Sequence, residues 1–217
     1  MPVSERYLLE AAWYALEQCG RLLHDAITLY ETGRYATASG IAMLAREELG
    51  RARILLALAE EVHSGRPLTL VELEGAIADH VVKQAAGQLT LGFSTPPESG
   101  LSRLMALALT DTPSEESHEA WKELQRAINR LAARKPHERH TTRQRALFVD
   151  PNDAGTDWHR PASFTREESQ RLLMEVMNDY SIFRLSLESQ ERYRRVHEVL
   201  DGWDSRPDLP PVTWPEG

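Results

Sequence analysis

The segment 33–63, GRYATASGIAMLAREELGRARILLALAEEVH, contains no proline and reads as one long helix with a carboxylate among its core positions. At about 100° per residue, Ile41, Ala45, Glu48, Ala52, Leu55, Leu56 and Ala59 fall on one stripe, and Glu47 points the other way. Glu48 is thus expected to face the core. A lone ionised carboxylate in an apolar seam costs several kcal/mol, so Glu48 needs a cationic or hydrogen-bonding partner on a facing helix, or else keeps its proton. By spacing alone that is either a structural buried ion pair or part of an active site.

The residues around this helix form further helical patterns. Segment 4–32 places Leu8, Ala12, Ala15, Cys19, Leu22, Leu23, Ala26 and Tyr30 on one stripe, and Gly33 ends it. So short a connection predicts an antiparallel hairpin. Ser64, Gly65, Arg66 and Pro67 close the second helix, and Thr69 with Glu72 has the form of a capping box opening a third. On that third helix Leu70, Leu73, Ile77, His80, Val81, Gln84 and Gln88 share a stripe, so His80 leans toward the core while Lys83 beside it is expected in solvent.

From about residue 92 to 118 the pattern is broken by Gly92, Pro96, Pro97, Gly100 and Pro113, which predicts an irregular insertion. Segment 118–134 is helical again, with Arg126, Arg130 and Arg134 forming a basic ridge, and Pro136 ends or kinks it. A capping box at Thr165 and Glu168 opens a last helix over 165–200, with Ile182, Leu185, Tyr193, Val196 and Leu200 on its inner stripe. The tail 203–217 holds Pro207, Pro210, Pro211 and Pro215 and is expected to be extended or disordered.

Composition bounds the chemistry. The 217 residues are enough to bury a real core, and 1–202 reads as one helical domain. No apolar run approaches a bilayer-spanning length and the N-terminus lacks the pattern of a signal peptide, so a cytoplasmic protein without membrane partners is expected. The single cysteine, Cys19, excludes an intrachain disulfide and a thiolate metal cluster. A net charge of −8 argues against a protein that coats nucleic acid, although a local basic groove within 126–145 is compatible with it.

Three segments resemble one family. Gly33-Arg34-Tyr35, the small residues Ala36, Ala38, Ser39 and Gly40, and the LAREELGRA that follows resemble the pattern G-x-Y-x-x-A, L-A, E-E-x-G-K of AbiV-type abortive infection proteins. These are bacterial antiphage proteins of the HEPN superfamily, and Arg51 stands here where their pattern usually has Lys. Asp79-His80-Val81-Val82-Lys83 resembles their H-x-x-K segment, which suggests a contact between Glu48 and His80. Arg145, Leu147, Val149, Asp150, Trp158 and Pro161 resemble a second signature, basic residues before Leu-Tyr-Val-Asp and then Trp and Pro, with Phe148 replacing the Tyr.

The resemblance covers about residues 20 to 180 and implies an all-α, HEPN-like up-and-down helical bundle acting in antiphage defence by abortive infection. Many HEPN proteins are metal-independent endoribonucleases marked by Arg, four to six residues, then His. In that chemistry His moves protons and Arg stabilises charge on the phosphoryl oxygens. The spacing occurs at Arg192 and His197, at Arg134 and His140, and at Arg130 and His137. Arg192 and His197 would flank the inner stripe of the last helix and converge across a homodimer seam; otherwise they are a solvated face and a helix-end histidine. Arg134 and His140 are separated by Pro136, and Arg130, Lys135, Arg139, Arg143 and Arg145, with Lys83, would supply phosphate contacts unless the region is a solvated basic turn.

The candidate catalytic set is therefore Arg192, His197, Arg134, His140, Glu48 and His80, with no metal and no cofactor. The expected partners are cellular or phage RNA, a second copy of the chain, and a phage-encoded trigger protein. Glu60 with His63 and Glu115 with His118 have the spacing of di-iron ligands, but His63 ends its helix and Glu115 sits in the Pro-rich insertion. No phosphate loop or nucleophile elbow is present. The rival function is a catalytically silent bundle that binds a translation or phage component.

Overall fold

A computed structural model describes residues 2–87, 136–151, 158–189 and 193–214. Helix α1, Glu5–Glu31, begins where the Ser4 side chain accepts the Tyr7 N–H at 3.2 Å. It ends at Thr32, and Gly33, at φ +78°, turns the chain into α2, Tyr35–His63. The Thr69 and Glu72 capping box opens α3, Leu70–Ala78. Then come α4, His80–Ala86, and α5, Pro136–Leu147, with Pro136 at the helix start where a missing N–H costs nothing. Strands β1, Asp150–Pro151, and β2, Trp158–His159, pair antiparallel with Asp150 opposite His159. A 3-10 turn, Pro161–Ser163, precedes α6, Arg166–Ser189, and α7, Arg194–Val199. Apart from that two-residue pair the architecture of the described residues is all-α, as expected.

The core is built on α1 and α2, where Leu8, Leu16, Cys19 and Leu23 join Ala45, Leu49 and Ala52, and α6 adds Leu173, Val176 and Leu187. Helix α2 touches α1, α4, α5 and α6. It is an enclosed helix with several buried faces, and a single-stripe reading cannot describe it.

Two helices differ from expectation for identifiable reasons. The third is divided at Asp79, whose ψ of 120° is not helical and whose carboxylate accepts the N–H groups of Val81 and Val82 at 2.7 and 3.3 Å. An N-cap interrupts what the apolar spacing reads as continuous. The segment read as one helix over 165–200 is not a single helix. The His197 Nε2 lies 3.0 Å from the Leu187 carbonyl oxygen, whereas ten residues of straight helix rise about 15 Å, so the chain turns back between α6 and α7. That change of direction explains why Tyr193, Val196 and Leu200 are buried while Ile182 and Leu185, placed on the same stripe, are exposed.

Segment 203–214 runs without helix or strand and is docked on the bundle, with Leu209 and Val212 buried in the shared core. The insertion at 92–118 and the Arg126, Arg130 and Arg134 ridge lie outside the described residues. Among the described residues no helix is long and apolar enough to cross a membrane.

Candidate functional site around Glu47

Glycines bring three helices together. At Gly40 an added β-carbon would collide with the Leu147 side chain of α5, and at Gly50 it would land on the Lys83 carbonyl oxygen of α4. At Gly87, just after α4, an added β-carbon would collide with the Arg46 carbonyl oxygen. Gly40, Met43, Glu47 and Gly50 follow i, i+3, i+7, i+10 spacing, so they share one stripe of α2. Along it the backbone of α4 and the end of α5 press against α2, with Glu47 between the two glycines.

Glu47 is 3% exposed, and its carboxylate is the point where three elements meet. His80 Nδ1, at the start of α4, lies 2.6 Å from Oε2. One turn further along α4, Gln84 Nε2 donates to Oε1 at 2.9 Å, and Arg143 Nη1 of α5 sits 3.0 Å from the same oxygen. A carboxylate only accepts, so His80 Nδ1 carries the proton and the ring's other nitrogen is the basic one in the neutral form. The His80 side chain is 50% exposed, so this buried carboxylate orients a histidine that reaches solvent. The Arg143 guanidinium lies 3.4 Å from the His80 ring and is 13% exposed.

The residues on either side of Glu47 engage other neighbours. Arg46, 1% exposed, directs Nη2 to Asp179 Oδ2 of α6 at 3.0 Å and approaches Glu175 at 3.6 Å. Glu48 accepts from Arg51 Nη1 at 2.9 Å, and burial pushes its carboxyl above the usual range against the pull of Arg51 and Lys83. Successive helical residues point about 100° apart, so Arg46 and Glu47 tie α2 to different elements while Glu48 pairs along α2 itself.

Several expectations are thereby corrected. The carboxylate at the polar junction is Glu47, not Glu48, and it is Glu47 that His80 contacts. The cause is the enclosure of α2, since the face opposite the chosen stripe is packed under α4 and α5. Lys83, expected in solvent and assigned to phosphate, is 3% exposed, because the close approach at Gly50 presses its turn against α2. His80 is half exposed, not turned to the core, because Asp79 restarts the helix. Gln84 and Glu47 escaped notice as site residues; the Gly40 to Gly50 stripe is the signal that marks their face.

The remaining candidates are scattered. His197 donates to the Leu187 carbonyl and meets Trp13 edge-on at 5.9 Å, so it is a packed residue away from the Glu47 cluster. Arg145 lies over the Phe164 ring at 5.8 Å. Arg192, Arg134, Arg130 and Lys135 lie outside the described residues, as do Glu115 and His118. His137, Arg139 and His140 are on α5, with side chains outside the description. A cavity of about 530 Å³ lined by Glu5, Leu9, Arg53, Phe183, Tyr193 and Arg195 shares no residue with the Glu47 cluster. Its Arg195 is held by Glu5 at 2.6 and 2.8 Å and its Arg53 donates to the Ala86 carbonyl, so size alone marks it. Among the described residues no group of His, Cys, Asp or Glu is arranged to hold a metal.

Comparison with known proteins identifies one family. The HEPN_AbiV family model, described as AbiV, matches residues 8–181. No curated protein and no solved structure matches the chain. The matched region contains Glu47, His80, Gln84 and Arg143, and the chain belongs to the AbiV family of HEPN proteins.

Proposed function

We propose that this protein arrests the infected cell by cutting RNA without a metal, with His80 as the proton-transfer group. Family membership suggests abortive infection defence, and the observation that supports the chemistry is the Glu47 to His80 pair beside Arg143. Glu47 holds the proton on Nδ1 and directs the basic nitrogen outward. There it takes the proton of a ribose 2′-hydroxyl as that oxygen bonds to phosphorus and the bond to the 5′-oxygen breaks. In this reading the Arg143 guanidinium, 3.4 Å from the His80 ring, stabilises the charge that builds on the phosphoryl oxygens. RNA is the substrate in this reading, a second copy of the chain completes the cleft, and a phage-encoded protein triggers it.

A second reading follows from burial. Glu47 and Arg143 are largely withdrawn from solvent, which suits a network that stiffens a non-catalytic face for binding a translation or phage component. Purified protein incubated with total RNA in EDTA separates the two. Cleavage abolished by His80→Ala supports the enzyme, whereas intact RNA together with phage protection retained by His80→Ala supports the binder.

A further inference from the structure

Gln84 is fully buried on α4, one turn beyond His80. The close approach at Gly50 fixes its backbone, because it seats the neighbouring Lys83 carbonyl against α2. The Glu47 carboxylate only accepts, so the end of the amide that faces it is the nitrogen, and Nε2 donates to Oε1 at 2.9 Å. The amide's other end, Gln84 Oε1, is buried and accepts no hydrogen bond among the described residues. A buried acceptor left unmade is costly, and methionine would fill the same space without one. Losing the Nε2 donor would not strand Glu47 either, since Arg143 Nη1 also lies 3.0 Å from its Oε1. Stability alone therefore favours an apolar residue at this position. What the amide adds is a neutral donor to one chosen oxygen of Glu47.

That donor bears on how the other two partners share the carboxylate. His80 reaches Oε2 at 2.6 Å and needs it for the Nδ1 proton. Arg143 carries a planar fork able to take both oxygens of a carboxylate side by side, and such double contacts are stronger than single ones. Its guanidinium already stands 3.4 Å from the His80 ring. A turn of the carboxylate plane would bring both oxygens to the guanidinium and take Oε2 from the imidazole. A second donor on Oε1, supplied from α4, holds the plane against that turn.

We propose that Gln84 is a positioning residue: by holding Oε1 of Glu47 it keeps Oε2 for His80, and so selects the imidazole tautomer whose basic nitrogen is Nε2. It acts through Glu47 and touches no reacting atom. Its value for catalysis rests on the reading of His80 as the proton-transfer group, whereas the tautomer is a property of the protein alone.

The test is nitrogen-15 magnetic resonance of the full chain labelled in its histidine rings, at about pH 8, above the ordinary histidine range. The ring nitrogens report which of them carries the proton, and His80→Gln identifies the signals. Wild-type protein should hold the His80 proton on Nδ1. Gln84→Met should keep the urea midpoint at or above that of the wild type and yet give a mixture of both tautomers. Adding Arg143→Lys to Gln84→Met should restore the Nδ1 proton, because an ammonium is a point charge without the fork. In RNA cleavage, Gln84→Met should lower kcat about tenfold or more at unchanged KM. An Nε2 proton on His80 in the wild type overturns the proposal, as does a Gln84→Met protein that keeps the Nδ1 proton, loses urea midpoint or cleaves RNA at the full rate. Failure of Arg143→Lys to restore the tautomer overturns it too. Wild-type protein that leaves RNA intact while the tautomers move as stated supports the role of Gln84 and sinks only the nuclease reading.

Discussion

A β-carbon on Gly50 would occupy the space of the Lys83 carbonyl oxygen. Gly50→Ala therefore carries two opposed effects. Helix propensity favours Ala by about 1 kcal/mol, and overpacking against an unyielding backbone costs about 1–3 kcal/mol or more. The clash should win, giving a lower urea midpoint. Gly75→Ala on α3, where nothing lies within 4 Å of the added carbon, should raise the midpoint. A stabilising Gly50→Ala would mean that α4 is not seated on α2.

Arg46 and Arg51 differ in what surrounds them. Arg46 faces Asp179, itself fully buried, whereas Arg51 is 36% exposed beside Glu48 on its own helix. Arg46→Ala should cost about 3–5 kcal/mol, because it removes one partner of a buried pair. Arg51→Ala should cost under about 1 kcal/mol, and urea melts of both variants check the contrast.

The Glu48 carboxyl supplies a pH dependence of known sign. Burial raises its pKa, so the folded state holds its proton to higher pH than the unfolded state does. Its contribution to stability therefore falls as pH rises through the range above the unfolded carboxyl value, and the unfavourable part is fully present once the folded group ionises. Glu48→Gln removes that part, so the melting temperature of the variant minus that of the wild type should increase from about pH 4 to pH 7. A difference that shrinks over this range would contradict the assignment.

Tyr180 donates one hydrogen bond to the Pro210 carbonyl of the docked segment 203–214, and burial raises its phenol above the usual value. Tyr180→Phe keeps the ring and leaves the Pro210 carbonyl without that donor, which should cost about 1 kcal/mol in a urea melt. No measurable loss would mean that water replaces the hydroxyl at that carbonyl.

Much of the frame was legible in local chemistry. Ser4, Thr69 and Thr165 announce helix starts because a hydroxyl beside free N–H groups has one obvious use, and Gly33 announces a stop. The junction was harder to read because periodicity reports one buried face, and α2 has several. Glu47 looks solvent-facing on a wheel drawn from leucines and alanines, although Gly40 and Gly50 on its own side already mark close packing. Asp79 misled for a related reason, since the apolar spacing continues through a residue whose side chain caps a new helix. The return of α7 upon α6 left no periodic trace at all.

One carboxylate, Glu47, joins α4 and α5 to α2 through His80, Gln84 and Arg143, and a double-mutant cycle on Glu47 and His80 tests that directly. Urea melts of wild type, Glu47→Gln, His80→Ala and the double variant are compared. Glu47→Gln should cost about 3–5 kcal/mol, and the two losses should be coupled by at least about 0.5 kcal/mol, with the double variant less destabilised than their sum. A loss at Glu47 within about 0.5 kcal/mol, or simple additivity with His80, would contradict the account.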